Sequence, residues 1–282
     1  MTFVTVPRPV TKKEQFRKLK LAVSSWLASS PSSHVLMLIS SQELDPTGTF
    51  VREIEKTFGK DRLIFASGLR TDLSGVPYIN EWFMLGIDVC PSKYITFINS
   101  DILISAGWLP RVKQVYGALE GKNPFIIGQR IDFDLEDKRY DKLRFNQQNL
   151  LSDIDSMVQE SKHSDHSPYG IDFFTFRADS PPFDPRMIPP FIMGRYNWDN
   201  WLIGYINNVC DSVTFNLDPP IYHMNHIRHN FDPNQPKVAI NHHLKMANKG
   251  FFGSNYDTKY QVVNGFVESR RNKSEKYKLP EI

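Results

Sequence analysis

The segment at residues 93–104 constrains the fold of this chain more than any other, and it reads Lys-Tyr-Ile-Thr-Phe-Ile-Asn-Ser-Asp-Ile-Leu-Ile. Its first half is a β-branched and aromatic run of the kind that forms a strand buried on both faces of a parallel sheet. The run ends at the polar triplet Asn99-Ser100-Asp101. Because the carboxyl ends of parallel strands open into a ligand crevice, Asp101 is placed to meet a metal or a nucleotide. The alternative is that Asp101 caps a helix beginning near Ser105.

Strand and helix patterns alternate on both sides of this segment. Before it, the periodicity predicts strands at residues 3–6, 34–39 and 62–66, and helices from Thr11, over 47–58 and over 78–89. After it, the pattern predicts a helix over 106–119 and strands at 124–128, 169–176 and 213–217. Such alternation is typical of a single α/β domain, with a mostly parallel central sheet flanked by helices. There is no internal repeat and no G-x-G-x-x-G or Walker loop.

Composition bounds the class of protein. The chain has 282 residues and 40% hydrophobic residues, enough for one large core. The formal charge of +3 is too small to indicate a nucleic-acid partner by itself. Cys90 and Cys210 lie far apart and are typical of buried thiols. No run approaches the roughly 18 apolar residues of a membrane span and no secretory leader is visible, so we expect a soluble, cytoplasmic protein.

Two charged residues fall in the loop that follows the predicted third strand. Residues 67–77 are polar and punctuated by glycine, which places a flexible loop at the ligand edge of the sheet. Arg70 and Asp72 can hold a phosphate and a ribose or base there. The alternative is that both are solvated loop charges.

An acidic residue opens a late aromatic helix. Asn197 is a suitable N-cap, and the aromatic and apolar positions that follow recur at three and four residues. Asp199 therefore lies in the first helical turn. It either favours the positive end of the helix dipole or points at substrate as a base or an acceptor for a sugar hydroxyl.

Histidine is concentrated late in the chain. Five of the eight histidines lie between His223 and His243, and His223 and His226 belong to the segment that comes after the strand predicted at 213–217. Neutral imidazole is a ligand for borderline metals such as manganese or zinc, and a zinc-only site is less attractive because no cysteine accompanies the histidines. We therefore expect His223 or His226 to bind a metal together with Asp101.

Two further segments are polar. Residues 132–165 are highly charged, which is typical of a solvated face or mobile loop, with a flap facing the acceptor as the alternative. We expect residues 1–245 to form the domain and residues 246–282 to form a polar, basic C-terminal tail.

These motifs resemble a known enzyme class. The N-x-D triplet, with the Gly-x-Pro loop and helix before it, resembles the metal-binding D-x-D corner of GT-A nucleotide-sugar glycosyltransferases. The later Pro-Phe-x-x-Gly-Arg-x-x-Trp-Asp-Asn-Trp-Leu and His-x-Asn-His segments are similar to late motifs of a group of glycosyltransferase-like proteins with this architecture. The resemblance covers roughly residues 3–226. It implies a GT-A, Rossmann-like fold for nucleotide-diphospho-sugar transfer.

The resemblance also implies a metal site. Asp101 would be the carboxylate ligand of Mn²⁺ or Mg²⁺, and Asn99, in place of the triplet's first acid, would contact the ribose or a metal-bound water. His223 resembles the family's late third ligand, with His226 as the competing choice. Because the triplet has one acid fewer than D-x-D, either the diphosphate supplies more ligands or the metal is dispensable.

The remaining roles follow from the same resemblance. Asp199 would be the acid near the sugar or acceptor, and Arg70 and Asp72 would lie near the diphosphate and nucleoside. A metal that bridges both phosphates stabilises a nucleoside diphosphate leaving group, and a carboxylate base gives inversion, although retention stays open.

The function implied is transfer from a nucleotide sugar, most simply a UDP-sugar, to a hydroxyl of a glycan, a protein, a small molecule or a hydroxylated DNA base. Two alternatives stay open: a sugar-phosphate nucleotidyltransferase, for which Pro7-Arg8-Pro9 stands where a glycine-rich loop is usual, and a non-catalytic nucleotide or sugar-binding module. A glycoside hydrolase is disfavoured because no carboxylate pair is evident.

Overall fold

The computed structural model describes residues 1–39, 44–194, 196–226 and 235–281. Its helices are Lys13–Ala28 (α1), Thr49–Phe58 (α2), Ile79–Val89 (α3), Trp108–Ala118 (α4), Asp137–Tyr140 (α5), Leu150–Glu160 (α6), Trp198–Val209 (α7) and Pro236–Ala247 (α8). Its strands are Thr2–Thr5 (β1), His34–Met37 (β2), Leu63–Phe65 (β3), Tyr94–Ile98 (β4), Ile102–Ile104 (β5), Phe125–Ile127 (β6), Arg130–Phe133 (β7), His163–Asp165 (β8), Phe173–Arg177 (β9), Ser212–Thr214 (β10), Ile221–Met224 (β11), Tyr260–Val263 (β12), Phe266–Ser269 (β13) and Lys276–Lys278 (β14).

A ten-stranded sheet forms the centre of the molecule, in the order β14-β13-β12-β10-β6-β9-β4-β1-β2-β3. Strands β4, β1, β2 and β3 are parallel neighbours, as the βαβαβ pattern predicts. Strand β9 is antiparallel to both β4 and β6, so the sheet is mixed. The predicted fold class, an α/β fold with a large central sheet flanked by helices, is confirmed.

Each face of the central sheet buries an apolar layer, because neighbouring strand residues point to opposite faces. On one face Phe3 stacks on Trp26 of α1, with ring centroids 5.8 Å apart. On the other face Phe97 stacks on Phe83 of α3 at 4.3 Å. A Cβ at Gly86 would lie 2.6 Å from the Phe97 ring, so only glycine lets α3 pack this closely on β4.

A second, four-stranded sheet has the order β5-β11-β7-β8. Strand β11 pairs antiparallel with β5 on one side and parallel with β7 on the other. Helix α1 covers this sheet as well, since Trp26 Nε1 donates to the Ile102 carbonyl at 3.0 Å. The chain reaches β5 only three residues after β4 ends, so the triplet from Asn99 to Asp101 lies at the junction of the two sheets.

The segment predicted as a polar, basic tail contributes three strands to the central sheet. Strand β12 pairs parallel with β10, and β13 and β14 continue the sheet in antiparallel pairing. Only alternate residues are apolar and buried, as with Tyr260 and Val262, which is why the composition of this segment resembles that of a tail. None of the described helices is long and apolar enough to cross a membrane.

Candidate active site

Strand register brings three distant residues together at the edge of the smaller sheet. In β11, His223 lies opposite Ile102 of β5 on one side and Asp132 of β7 on the other. Asp101 directly precedes β5, and its carbonyl accepts a hydrogen bond from the Met224 backbone at 3.1 Å. Asp101, His223 and Asp132 therefore lie side by side although they are far apart in sequence.

Asp101, His223 and His226 form a group of potential metal donors. Asp101 Oδ2 lies 3.6 Å from His223 Nε2 and 3.4 Å from His226 Nε2. The three donor atoms lie within 4.8 Å of one another, and within the described ranges this is the group of His, Cys, Asp or Glu with such spacing. Donors about 2.1 Å from one ion lie roughly 3.0–3.4 Å apart, so the His226 separation falls in the range for a divalent cation and the His223 separation is slightly longer.

Burial differs across this group. The His223 side chain is 5% exposed and that of His226 is 42% exposed, so solvent and ligands reach the site from the His226 side. Burial acts to raise the pKa of Asp101, but the two imidazoles outweigh it and hold that pKa well below its usual range. Burial acts to lower the pKa of His223, but the carboxylates of Asp101 and Asp132 raise it to about 8.

The second ring nitrogen of His223 is held by a buried carboxylate. Asp132 Oδ1 accepts from His223 Nδ1 at 2.9 Å and from Arg130 Nε at 2.9 Å. Asp132 Oδ2 accepts from His166 Nδ1 at 2.7 Å. The Nε2 atom of His223 is thereby turned towards Asp101.

Arg130 extends this network to the triplet. Its Nη1 atom donates to Asp172 Oδ2 at 2.5 Å, and the Asp172 Oδ1 atom accepts from Asn99 Nδ2 at 2.9 Å. The Arg130 and Asp172 side chains are 10% and 8% exposed. The Asn99 amide group is thus already donating within the protein, and its predicted contact with a ribose or a metal-bound water stays a prediction.

Asp199 lies in the first turn of α7. Its Oδ1 atom accepts from the Asn200 backbone at 3.0 Å, and the residue is half-buried. Asn197 is the N-cap residue, in a left-handed conformation with φ of 82°, and its side chain makes no capping hydrogen bond. Burial raises the pKa of Asp199 to about 7, with a further increase from the charge of Asp172. A carboxyl group with this pKa can accept or donate a proton near neutral pH.

Arg70 and Asp72 are bound within their own surroundings. Arg70 pairs with Glu81. Asp72 Oδ1 accepts from the Val76 backbone at 3.0 Å, and Asp72 Oδ2 lies 2.8 Å from Lys237 Nζ. In the part of the chain that the structure describes, no hydrogen bond or ion pair joins either residue to the Asp101 group. Their predicted role in binding the diphosphate and nucleoside stays a prediction.

Two predicted features lie outside the described residues. These are Arg195 of the late Gly-Arg motif and His229 of the histidine-rich segment.

Sequence reasoning missed three buried charged residues that organise the site: Arg130, Asp132 and Asp172. Asp132 was assigned to a charged run typical of a solvated face, and this is wrong for that residue, whose side chain is 13% exposed. The available signal was the alternation Arg-Ile-Asp-Phe at residues 130–133. Charged residues that alternate with apolar ones indicate a strand with one polar face rather than a loop.

No protein-family model matches the sequence, and no curated protein matches it. Solved structures with a similar fold include glucosyl-3-phosphoglycerate synthase from Mycobacterium tuberculosis in complex with Mn²⁺, UDP and phosphoglyceric acid, which is 12% identical with a TM-score of 0.47 over 90% of this chain and 80% of that chain. The galactosyltransferase LgtC in complex with donor and acceptor sugar analogs is 10% identical, with a TM-score of 0.42 over 89% and 96%.

The chain also matches S. aureus TarS 1-349, at 17% identity and a TM-score of 0.33, over 48% of this chain and 37% of that chain. The chain thus spans a little over a third of this match. By name, LgtC is a galactosyltransferase, and the synthase structure holds Mn²⁺ and UDP. TM-scores below 0.5 carry no inference about activity, which depends on the geometry of the site.

Proposed function

We propose that this chain is a metal-dependent glycosyltransferase that moves a sugar from a nucleotide-diphosphate sugar to a hydroxyl acceptor. The observation that carries the proposal is the convergence of Asp101, His223 and His226 at the junction of the two sheets. It is the same set of residues that the sequence resemblance implies as metal ligands. A carboxylate oxygen and two imidazole nitrogens leave positions open for the oxygens of a diphosphate.

The metal would be held by Asp101 and His223, with His226 at the exposed side. When bound, it would neutralise the negative charge that develops on the departing nucleoside diphosphate. The donor set suits Mn²⁺ or Mg²⁺ when phosphate oxygens complete it, and two histidines with one carboxylate also suit Fe²⁺ in oxygenases. A requirement for a nucleotide separates these two kinds of site.

The nucleoside end of the donor has a candidate cavity. A cavity of about 270 Å³ is lined by residues of the segments that follow β1 and β2, among them Val10, Phe16 and Thr47. Helix α1 runs from this cavity past the candidate metal ligands. Its Lys18 Nζ donates to the carbonyl of Asn225, next to His226, at 2.8 Å. We propose that a nucleotide, with UDP as the first candidate, binds between this cavity and Asp101.

Asp199 is the candidate base for the acceptor. Its pKa of about 7 lets the ionised carboxylate take a proton from a hydroxyl group at neutral pH. The acceptor would be a glycan, a protein hydroxyl, a small molecule or a hydroxylated DNA base. If Asp199 acts as this base, the sugar is transferred with inversion.

A thermal-shift screen tests the proposal. The purified chain is combined with UDP, GDP, CDP and their sugars, each with no metal, Mn²⁺, Mg²⁺ or anaerobic Fe²⁺. A ligand that binds the native state raises the melting temperature by mass action, so we expect an increase that needs both one nucleotide and Mn²⁺ or Mg²⁺. No shift with any nucleotide in the presence of metal, or a shift with Fe²⁺ that no nucleotide changes, contradicts the proposal.

Turnover is tested with the nucleotide sugar that gives the largest shift. The acceptor panel contains one member of each of the four classes, and release of the nucleoside diphosphate is the readout. Binding of the nucleotide sugar with no transfer to any member would favour the binding module over the enzyme.

A further inference from the structure

Asp132 is a mostly buried carboxylate that the proposed function does not use. Its side chain is 13% exposed, and it lies beside His223 in the parallel pairing of β7 with β11. A buried carboxylate requires compensating hydrogen bonds or charges, because burial strongly disfavours an isolated ion. Its partners therefore indicate what it does.

Within the described ranges, His223, Arg130 and His166 donate to Asp132. His223 Nδ1 and Arg130 Nε both reach Oδ1 at 2.9 Å, and His166 Nδ1 reaches Oδ2 at 2.7 Å. Both oxygens are thus held, which fixes the plane of the carboxylate. An imidazole whose Nδ1–H is bound by a fixed carboxylate keeps the Nε2 lone pair for a metal and becomes a more basic ligand.

We propose that Asp132 is a positioning residue for the candidate metal site, and that it holds His223 with Nε2 as the metal-facing nitrogen. This inference depends on the proposed function in one respect, which is that His223 is a metal ligand. Arg130 helps to hold Asp132 in place, because the guanidinium group that binds Asp132 is itself held by Asp172. In this role Asp132 acts through His223 and is not itself one of the candidate metal donors.

The proposal explains how the site works with one acid in its triplet. Asn99 stands where D-x-D has its first carboxylate, which by itself weakens the attraction for a cation. Asp132 supplies a second carboxylate, which is hydrogen-bonded to His223, and Asp172 supplies a third, which is hydrogen-bonded to Asn99. Arg130 pairs with both Asp132 and Asp172, so its single positive charge cannot neutralise both carboxylates. The surroundings of Asp101 therefore keep a net negative charge from these three residues.

The test compares Asp132→Asn with Asp165→Asn. Asp165 is an exposed acid on β8, the strand next to β7, so its variant makes the same chemical change nearby without altering the network. In Asp132→Asn an amide group faces donors of Arg130, His166 or His223. We expect Mn²⁺ affinity, measured by titration calorimetry without nucleotide, to fall about 10- to 100-fold in Asp132→Asn and to stay within about twofold in Asp165→Asn.

A second measurement needs no variant. In the wild-type protein labelled with ¹⁵N-histidine, at about pH 9.5 where imidazole is neutral, the ¹⁵N shifts report which nitrogen of His223 carries the proton. The proposal requires the Nδ1–H form. A purely structural role would lower the melting temperature of Asp132→Asn without changing its Mn²⁺ affinity.

The outcomes separate the two proposals. If the wild-type protein binds no divalent metal, the metal site of the proposed function is wrong. If the wild type binds Mn²⁺ but Asp132→Asn binds it equally well, or if His223 carries its proton on Nε2, the positioning role of Asp132 is overturned while the metal site stands. Should Asp132→Asn not fold, the tautomer in the wild type decides.

Discussion

Two groups of charged residues were predicted at the ligand edge of the sheet, and they are built in opposite ways. Strand pairing brings Asp101 and His223 together, and the donor atoms of the two side chains lie close enough to share one ion. Arg70 and Asp72 lie in one loop, where Arg70 pairs with Glu81 and is 74% exposed. Asp72 completes a local turn and binds Lys237. The first group is arranged around a common point, and the second is neutralised by its own neighbours.

The difference lies in what a ligand would have to displace. At Asp101 the partners are imidazoles whose Nε2 atoms can turn from a carboxylate to a metal without leaving the site. The Asp72 carboxylate already pairs with the ammonium group of Lys237 and accepts a hydrogen bond from the Val76 backbone N–H. A ribose hydroxyl would have to replace one of these partners. Substitutions in each group in turn therefore test which of the two groups binds the nucleotide sugar.

Removing the charge of Asp101 should have the largest effect. Asp101→Asn keeps the size of the side chain but removes the anionic ligand, so Mn²⁺ affinity should fall more than about 100-fold, beyond the loss typical of an outer contact. Nucleotide binding that depends on Mn²⁺ should be lost with it. The measurement is titration calorimetry, with Asp88→Asn, an exposed acid on α3, as the matched control. Full retention of metal-dependent binding in Asp101→Asn would show that the metal lies elsewhere.

Asp199 should affect turnover rather than binding. Asp199→Asn removes the candidate base, so transfer to the acceptor should fall about 10²- to 10⁴-fold while affinity for the nucleotide stays unchanged. In the wild type, turnover should rise with pH through about 7, because only the ionised carboxylate accepts a proton. Initial rates from pH 5.5 to 8.5, under saturating donor, check both points. Equal turnover in Asp199→Asn would remove this residue from the mechanism.

Metal affinity should depend on pH through His223. Its pKa of about 8 in the metal-free protein means that a proton and a metal compete for the ring at neutral pH. Apparent Mn²⁺ affinity should therefore fall about tenfold for each pH unit below 8. Titrations at pH 6, 7 and 8 in matched ionic strength measure this slope. A flat profile in this range would mean that His223 is not a ligand.

The same contrast explains what the sequence could and could not predict. Strands such as β4 and the order of the first helices follow from local periodicity, which needs no knowledge of distant partners. His223 could be singled out as a candidate ligand because histidine is concentrated late in the chain, and its role as a ligand stays a prediction. The link from His223 to Asp132 depends on the register of two strands separated by 91 positions, and single-sequence patterns do not contain register.

The antiparallel position of β9 was beyond the same reasoning. The aromatic run at β9 identifies a buried strand, but its insertion between β4 and β6 is a matter of topology. Asp172, one residue before β9, meets Arg130 only because of that insertion. The terminal strands β12–β14 were missed for a related reason, since they are short and polar on one side and are stabilised by the pairing of β12 with β10, of β13 with β12 and of β14 with β13.

The smallest effects are expected in the loop that follows β3. Arg70→Ala removes an exposed ion pair, which typically contributes little, so melting temperature and Mn²⁺ affinity should not change measurably. Asp72→Asn should lower the melting temperature slightly, because the turn loses a charged acceptor and Lys237 loses its partner. UDP affinity in these two variants is the deciding measurement. A fall of about tenfold or more in either would mean that the ligand does displace Lys237 or Glu81, and the loop would then join Asp101 as part of the donor site.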